Sequence, residues 1–190
     1  MQFSPIGRFR TPFAETAGMP LQPAGAVGVQ GAIEIFAPFE PGLADLDGFS
    51  HIIVLYHLHR AERHLLHLRP CLNGREDDRE RGIFATRSQR RPNPLGLSVL
   101  KLVSVRGPVL RVANVDVLDG TPVLDIKPYV PDFDVWPADR LGWLEGLAPA
   151  VAEARCEVSA PSAAPAPDHA ARESAGRVPG HAAGPAGGSR

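Results

Sequence analysis

Two long runs of apolar and β-branched residues, 97–105 and 109–118, flank the short turn sequence Arg106-Gly107-Pro108. This pattern predicts two antiparallel strands joined by a hairpin. Asp119-Gly120 then separates the second run from residues 121–126, and Asp-Gly between apolar runs is a strong short-range hairpin signal. The sequence therefore predicts three consecutive antiparallel strands in this part of the chain.

Upstream, residues 3–9, 32–36 and 49–59 have the composition of further strands. The centre of 49–59 is continuously apolar, which predicts a central strand buried on both faces. Period two puts His51, His57 and His59 on its more polar side. Because closure removes exposed sheet edges, we expect a mainly β fold, a small antiparallel β-barrel.

Outside these strands the chain changes character. Residues 61–72 are compatible with a helix, and 75–81 form a charged sequence typical of a mobile loop tip. Residues 128–137 carry aromatic side chains among prolines and aspartates, as in a docking segment. We expect a barrel domain at residues 1–140 and a short extension at 141–158. Residues 159–190 are rich in Ala, Pro and Gly and should form a disordered tail.

Charge and cysteine content constrain the class of protein. The formal net charge is −1 at pH 7, so no global electrostatic attraction to nucleic acid is expected. The two cysteines are far apart, which argues against a disulfide framework. The N-terminal sequence lacks signal-peptide features and no apolar run is long enough to span a bilayer. A cytoplasmic protein without membrane contact is expected.

Residues 82–98 combine three arginines with two prolines between apolar runs. Pro92 and Pro94 restrict the backbone of this arginine loop, which would hold Arg87, Arg90 and Arg91 in fixed directions. Recognition of a carboxylate or phosphate requires such preorganised guanidinium groups. A solvated basic turn that merely ends a strand is the alternative interpretation.

Five histidines occur between His51 and His67, which is a density seen in some metal sites. No glutamate lies between paired histidines at helical spacing, and no cysteine pair accompanies them. We therefore expect no metal, and interpret the histidines as hydrogen-bonded scaffold or substrate contacts. A neutral imidazole at a barrel mouth can still accept a proton.

Motifs for the common nucleotide cradles and for a serine nucleophile are absent. There is no Gly-x-Gly-x-x-Gly, no Gly-Lys-Ser/Thr loop and no Gly-x-Ser-x-Gly, and Gly96-Leu97-Ser98 lacks the last glycine. What remains is the arginine loop, the histidine-bearing strand and the acidic segment 116–125. Together they suit an amino-acid-like or nucleotide-like ligand without naming a reaction.

Several motifs occur in an order that resembles the TsaA-like family, over residues 3–134. They are Ile6-Gly7, Arg10-Thr11-Pro12, Phe49-Ser50-His51, Ala85-Thr86-Arg87-Ser88, Arg91-Pro92-Asn93-Pro94-Leu95-Gly96, Leu118-Asp119-Gly120-Thr121-Pro122 and Asp125-Ile126-Lys127-Pro128-Tyr129. Characterised members methylate N6 of threonylcarbamoyladenosine beside the tRNA anticodon.

The resemblance implies a methyltransferase that uses S-adenosyl-L-methionine on a barrel rather than a Rossmann sheet. It implies a homodimer with the cofactor near the subunit interface and tRNA as substrate. The implied cofactor contacts are Pro23, Ala24, Gly25, His59, Arg60, Arg87, Val115, Asp116, Val117 and Leu118. The implied catalytic residues are Arg87, Arg91, Asn93 and His51, with His57, His59 and the substrate's own carboxylate as alternative proton acceptors.

This chain departs from the family pattern in two places. Leu21 stands where a basic residue is expected, and Ala24 stands where glycine is expected after Pro23. An Asp-Pro-Arg-Pro-Ala-Tyr motif, found in the C-terminal domain of longer relatives, is absent from 141–190. Three functions remain open: a tRNA methyltransferase that binds RNA through residues 75–91, the same chemistry on a small molecule, and a non-catalytic RNA- or ligand-binding barrel.

Overall fold

The computed structural model describes residues 2–62, 64–72 and 75–155. The predicted tail at 159–190 lies outside these residues, and the predicted domain boundary at residue 140 stays a prediction. Within them the strands are β1 (Gly7–Arg10), β2 (Gln30–Ile35), β3 (His51–His57), β4 (His67–Leu68), β5 (Cys71–Leu72), β6 (Arg75–Glu76), β7 (Arg81–Gly82), β8 (Leu95–Arg106), β9 (Val109–Ala113) and β10 (Pro122–Pro128).

Six of these strands close into an antiparallel barrel in the order β1-β10-β3-β8-β9-β2. Closure is completed where Gly7 of β1 pairs with Val123 of β10 on one side and with Ile35 of β2 on the other. The expected small antiparallel barrel is thus confirmed.

Strand β3 shows why the sequence closes in this way. Ile52, Val54 and Tyr56 point into the barrel and are at most 6% exposed, whereas Ile53 and Leu55 on the other face are only partly buried. The period-two assignment is therefore confirmed. Burial on both faces was wrong, because the outer surface of a closed barrel is covered only where another element packs on it.

The interior is a single apolar cluster with contributions from the barrel strands and from the segment after β9. Its buried members are Phe9, Ile33, Ile35, Ile52, Val54, Tyr56, Leu100, Leu102, Leu110, Val112, Val115, Val117 and Val123. Removing such side chains from water is the dominant favourable term in folding.

The predicted hairpin at Arg106-Gly107-Pro108 is confirmed, with Gly107 at a φ of 54°. The predicted hairpin at Asp119-Gly120 was wrong. Strand β9 ends at Ala113 because Asn114 adopts a left-handed φ of 66°, and asparagine tolerates this conformation. Residues 115–118 leave the sheet, and β10 pairs with β1 and β3 instead of β9.

The predicted helix at 61–72 was also wrong. This segment carries the short strands β4 and β5, which pair with β7 and β6. Its backbone is held by the arginine loop, because Leu65 N–H donates to the carbonyl of Arg90 and Ile83 N–H donates to that of Leu66. The charged residues 75–81, predicted as a loop tip, accordingly begin and end in short strands.

Short helices follow the barrel: α1 (Pro131–Asp134), a 3₁₀ helix at Gly142–Leu144, and α2 (Ala148–Glu153). Phe133 and Trp136 are 64% and 82% exposed, so they do not anchor the predicted docking segment within the described chain. Among the described residues, no helix is long and apolar enough to cross a membrane.

Candidate functional site

A cleft opens where β3 ends and residues 115–118 leave the sheet. It brings together five residues predicted as cofactor contacts: His59, Arg60, Asp116, Val117 and Leu118. Its other walls come from Met19, Tyr56, Leu58, Gln89 and Thr121. Segments that are distant in sequence meet here because β3 is flanked by both β8 and β10.

A chain of hydrogen bonds leads from the barrel interior to this cleft. Ser98 Oγ donates to Asp116 Oδ1 at 2.8 Å and lies 2.9 Å from the Tyr56 hydroxyl. Since the serine proton is used on the carboxylate, the tyrosine must donate to Ser98 Oγ. Gly96 makes room for this arrangement, because a Cβ there would lie 2.1 Å from the Tyr56 ring.

Asp116 is the most electrostatically perturbed carboxyl of the cleft. Burial raises its pKa to about 6, against the opposing effects of the Ser98 hydrogen bond and the positive charge of Arg87. Burial beside the same carboxylate raises the pKa of Tyr56 far above its usual range. At pH 7 Asp116 is therefore ionised, Tyr56 is a neutral donor, and the cleft holds a negative charge that titrates within reach of physiological pH.

Arg87 links the arginine loop to the predicted cofactor loop. Its Nη1 donates to Gln22 Oε1 at 2.9 Å, immediately before Pro23, Ala24 and Gly25, which form a 3₁₀ helix with Ala26. The structure thus brings this loop next to Arg87 and, through the charge of Arg87, near Asp116.

Arg91 and Asn93 lie in the same loop but have different surroundings. Arg91 Nη1 donates to the carbonyls of Thr86 and Ile83 at 2.8 and 3.3 Å, and its guanidinium lies over the Phe84 ring. Asn93 is exposed, and its carbonyl accepts from Leu95 N–H. The contacts of Arg91 hold the loop in shape and do not face the cleft.

The predicted catalytic His51 lies at the other end of β3 from the cleft. Its Nδ1 is 3.0 Å from Ser50 Oγ, and its ring packs edge-on against Tyr129. At the strand rise, six residues separate it from His57 by about 20 Å. Within one chain, His51 is therefore not brought together with the cleft residues.

His59 does line the cleft, with Nδ1 3.3 Å from Thr121 Oγ1. Burial and the nearby charges of Arg60 and His57 lower its pKa, so the imidazole is neutral at pH 7. Val115 has a side chain that is fully buried in the barrel core, and its predicted contact with the cofactor stays a prediction.

Sequence reasoning missed Tyr56 and Ser98. The lack of a Gly-x-Ser-x-Gly motif gives Ser98 no role as a nucleophile, and period two places Tyr56 only on the less polar side of its strand. The signal that could have found them is strand register. If β3 pairs with β8, Tyr56 stands opposite Gly96, and the ring can lie over the glycine with its hydroxyl extending past it. No cluster of three or more potential metal ligands occurs in the part of the chain that the structure describes.

A closed antiparallel β-barrel with a cleft at one end, where His59, Arg60 and Asp116 lie among apolar side chains, places this protein among the β-barrel folds rather than the Rossmann proteins. The chain matches the family model for the tRNA-methyltransferase O N-terminal domain over residues 8–135. This protein belongs to that family.

Curated relatives extend the match beyond the barrel. A probable S-adenosyl-L-methionine-binding protein of Pyrococcus abyssi is 46% identical over 153 residues, covering 80% of this chain and 81% of the relative. A tRNA (adenine(37)-N6)-methyltransferase of Escherichia coli strain K12 is 34% identical over 161 residues, covering 80% and 67%.

Solved structures give the same result. A crystal structure of TrmO is 40% identical with a TM-score of 0.63, covering 75% of this chain and 63% of that one. TrmO from Pseudomonas aeruginosa is 38% identical with a TM-score of 0.62, covering 75% and 61%. The match thus spans about three-fifths of the length of these solved chains.

Proposed function

We propose that this protein transfers a methyl group from S-adenosyl-L-methionine to N6 of threonylcarbamoyladenosine beside the anticodon of tRNA. The observation that carries the proposal is the convergence of His59, Arg60 and Asp116 on one cleft, with Arg87 beside them. Family membership and the names of relatives, which include S-adenosyl-L-methionine-binding proteins and a tRNA methyltransferase, support it. A tRNA substrate implies a cytoplasmic location.

The cleft residues fit an amino acid joined to a nucleoside. Arg60 and Arg87 offer guanidinium groups to a carboxylate, and Asp116 offers a carboxylate to an amine or to ribose hydroxyls. Val117 and Leu118 offer apolar contact. When bound, S-adenosyl-L-methionine supplies a methyl group activated by its sulfonium.

His59 is the side chain that we propose to accept the proton leaving N6. It is neutral at pH 7 and lines the cleft, whereas His51 is remote within the chain. Carbamoylation makes the N6 proton more acidic, so positioning supplies most of the rate enhancement. His59→Gln should lower turnover by about 10²-fold, while His64→Gln, at an exposed position outside the cleft, serves as the control. Full turnover in His59→Gln would assign the proton to the substrate's own carboxylate.

A homodimer is part of the proposal because the cleft in one chain is small. Its volume is ≈ 40 Å³, against about 300–1,000 Å³ for pockets that enclose a ligand of this size. Beside it, the outer faces of β3 and β8 place Leu55 against Leu97 and Ile53 against Val99. Leu97 is 59% exposed, so this apolar face suits a second copy that completes the site.

The dimer is tested by Leu97→Glu, with Val103→Glu as a matched control. Val103 is 53% exposed on the same strand but lies beyond the residues that pair with β3. Sedimentation should show a monomer for Leu97→Glu and a dimer for the wild type and control. A monomeric wild type would overturn the dimer.

The proposed function is tested by calorimetric titration with S-adenosyl-L-methionine, comparing the wild type with Arg87→Ala and with Arg140→Ala as control. Arg140 is an exposed arginine outside the cleft, with a side chain that is 90% exposed. We expect micromolar binding that only Arg87→Ala abolishes. Absence of binding to the wild type would overturn the methyltransferase assignment.

The acceptor is tested with two tRNA preparations, one bearing and one lacking the threonylcarbamoyl group, and transfer of a labelled methyl group. Label should enter only the modified tRNA. Cofactor binding without transfer to either tRNA would favour the same chemistry on a small molecule, and RNA binding without cofactor binding would favour a non-catalytic barrel.

A further inference from the structure

A groove of ≈ 420 Å³ lies on the outside of the barrel, separate from the cleft. Gly31 and Ala32 form its floor, and Arg10 and Arg111 stand on either side, since Ala32 pairs with Arg10 of β1 and with Arg111 of β9. Arg10 is paired with Glu34 and with Asp119, which also lines the groove, so Arg111 is the guanidinium on this floor that can bind an anion.

The basic character continues onto β8. Lys101 pairs with Ala113 and Ser104 with Arg111, so Lys101, Arg106 and Arg111 share this outer face. None of the three makes an ion pair with a described carboxylate. Arg8 and Arg10 add two cations that pair with Glu34 and Asp119, and Glu40 Oε1 approaches the turn at Gly107 beside Arg106. The face thus carries five cations against three carboxylates, although the whole chain has a net charge of −1.

Among the six arginines at residues 75–91, the segment expected to bind RNA, Arg81, Arg90 and Arg91 are engaged in contacts within the chain. Arg81 pairs with Asp77, Arg90 pairs with Glu62, and Arg91 donates to loop carbonyls. Arg91 is thus held within the arginine loop, Arg90 joins the loop to Glu62, and Arg81 is paired just before the loop. The unpaired cations of the described chain's outer barrel face are therefore the better surface for phosphates.

The groove and the cleft share one wall. Thr11 and Asp119 line the groove, and Thr11 Oγ1 donates at 2.8 Å to the carbonyl of Val117, which lines the cleft. We propose that this outer face, with Arg111 at its centre, binds the phosphate backbone of the RNA whose base enters the cleft. The proposal rests on the proposed function, since it assigns a docking surface to the same substrate.

The test measures tRNA binding by fluorescence anisotropy over a range of salt concentrations for the wild type, Arg111→Ala and the control Arg140→Ala. Arg111 is exposed and makes no side-chain hydrogen bond with a described residue, so its removal leaves the fold intact. We expect about 3-fold weaker binding and a log K against log salt slope smaller in magnitude by about 0.7 to 0.9, the loss of one phosphate contact.

Wild-type affinity and slope in Arg111→Ala, with the wild type still binding tRNA, would overturn this surface and leave the proposed function standing. Failure of the wild type to bind tRNA at all would overturn both. Unchanged cofactor affinity in Arg111→Ala is expected in either case and confirms that the cleft is intact.

A second inference comes from an independent set of contacts, made by residues 142–155. Ala154 is 3% exposed, its carbonyl accepts from Leu21 N–H at 3.0 Å, and Arg155 Nη2 donates to the carbonyl of Gly25 at 3.2 Å. A Cβ on Gly25 would lie 2.6 Å from the carbonyl oxygen of Ala152. Helix α2 and the residues after it are thus packed tightly on the predicted cofactor loop.

The same extension also contacts the arginine loop. Trp143 Nε1 donates to the carbonyl of Ala85 at 2.7 Å, and the Arg81 guanidinium lies 5.3 Å from the Trp143 ring centroid. We infer that residues 142–155, which lie beyond the family-model match at 8–135, form a strap that positions both loops for the cofactor. This inference also rests on the proposed function.

Ala154→Glu tests the strap, with Ala150→Glu, at an exposed position of helix α2 just before it, as control. Hydrogen exchange without cofactor should show faster exchange at Leu21 only in Ala154→Glu, because a glutamate cannot be buried at this position and displaces the carbonyl of residue 154 that accepts from Leu21 N–H. Calorimetry should show S-adenosyl-L-methionine binding at least several-fold weaker in the same variant.

Faster exchange with unchanged cofactor affinity would overturn the positioning role. A wild type that binds no cofactor would overturn the proposed function, while the exchange difference would still report the strap contact. Trp143→Phe keeps the ring beside Arg81 but loses the donor to Ala85, so it should weaken cofactor binding less than Ala154→Glu does.

Discussion

The barrel interior and the cleft at its end are made from the same strands but follow different physics. Inside, Phe9 packs edge-on against the Tyr56 ring at 5.6 Å and is completely buried. At the outer end of the same side chain, the Tyr56 hydroxyl begins the chain of hydrogen bonds that runs through Ser98 to Asp116. Tyr56 belongs to both regions, with an apolar body in one and a donor in the other.

The difference shows where this fold carries a stability penalty for its chemistry. The interior gains free energy by removing apolar area from water. The cleft holds a carboxylate whose pKa is raised to about 6 by burial, so its ionised form destabilises the folded state at pH 7. The apolar interior of the barrel supplies the stabilising free energy that offsets this penalty.

Phe9→Ala, in the barrel interior, should cause the largest loss of stability. Truncating a fully buried phenylalanine leaves a cavity beneath Tyr56, and we expect a loss of about 3–5 kcal/mol in the free energy of unfolding. Urea denaturation measures it. A loss below 1 kcal/mol would show that the interior repacks, and would contradict the rigid barrel.

Asp116→Asn should raise the free energy of unfolding, whereas Phe9→Ala lowers it. The folded pKa of Asp116 lies above its ordinary 3.8, so the wild type loses stability as pH rises through about 4 to 6. The variant avoids this loss and should be more stable by about 3 kcal/mol at pH 7.5, with little difference at pH 4.

Urea denaturation of the wild type and Asp116→Asn at both pH values measures this difference. The pH-dependent contributions of the other carboxyl groups cancel because both proteins contain them. Equal stability at pH 7.5 would mean that Asp116 is not buried as described. If Asp116 holds the amine or ribose of the cofactor, the same variant binds S-adenosyl-L-methionine more weakly, which separates the functional role from the stability cost.

Gly96→Ala acts at the junction of the two regions. The added methyl would meet the Tyr56 ring at 2.1–2.7 Å, which forces the ring and its hydroxyl to move. We expect a loss of about 1–3 kcal/mol in thermal or urea unfolding, together with weaker cofactor binding. Leu95→Ala, at a partly exposed position of the same strand, is the control.

Arg8→Ala should have the smallest effect. Arg8 Nε lies 2.8 Å from Glu34 Oε2, but both side chains are well exposed and Glu34 also contacts Arg10. We expect a change of less than about 1 kcal/mol in the free energy of unfolding, declining in high salt. A larger loss would mean that the outer face contributes to stability as the interior does.

The barrel was accessible from sequence because its strands follow period two, as β3 does with Ile52, Val54 and Tyr56 inside. The course of the chain after β9 was not, because one left-handed residue, Asn114, diverts an apolar run from the sheet to the cleft wall. Local propensity reads Val115 and Val117 as strand, and only tertiary packing decides otherwise.

For the cleft, the family resemblance identified five lining residues, while composition and motifs alone supplied only residue types that suit such a ligand. Neither route distinguished the role of Arg87 from that of Arg91, because both lie in one loop. They differ in their contacts: the Arg87 side chain donates to Gln22, whereas the Arg91 side chain donates to carbonyls of the loop itself. Neither found Tyr56 and Ser98, whose roles depend on register across β3 and β8.

The position of β10 between β1 and β3 has a consequence for how the chain folds. Gly7 meets Val123, so the barrel cannot close until almost the whole domain has left the ribosome. Contacts between residues so far apart in sequence make folding slow. Until β10 arrives, β1 and β3 each keep an unpaired edge, and the nascent chain is most prone to aggregation in that interval.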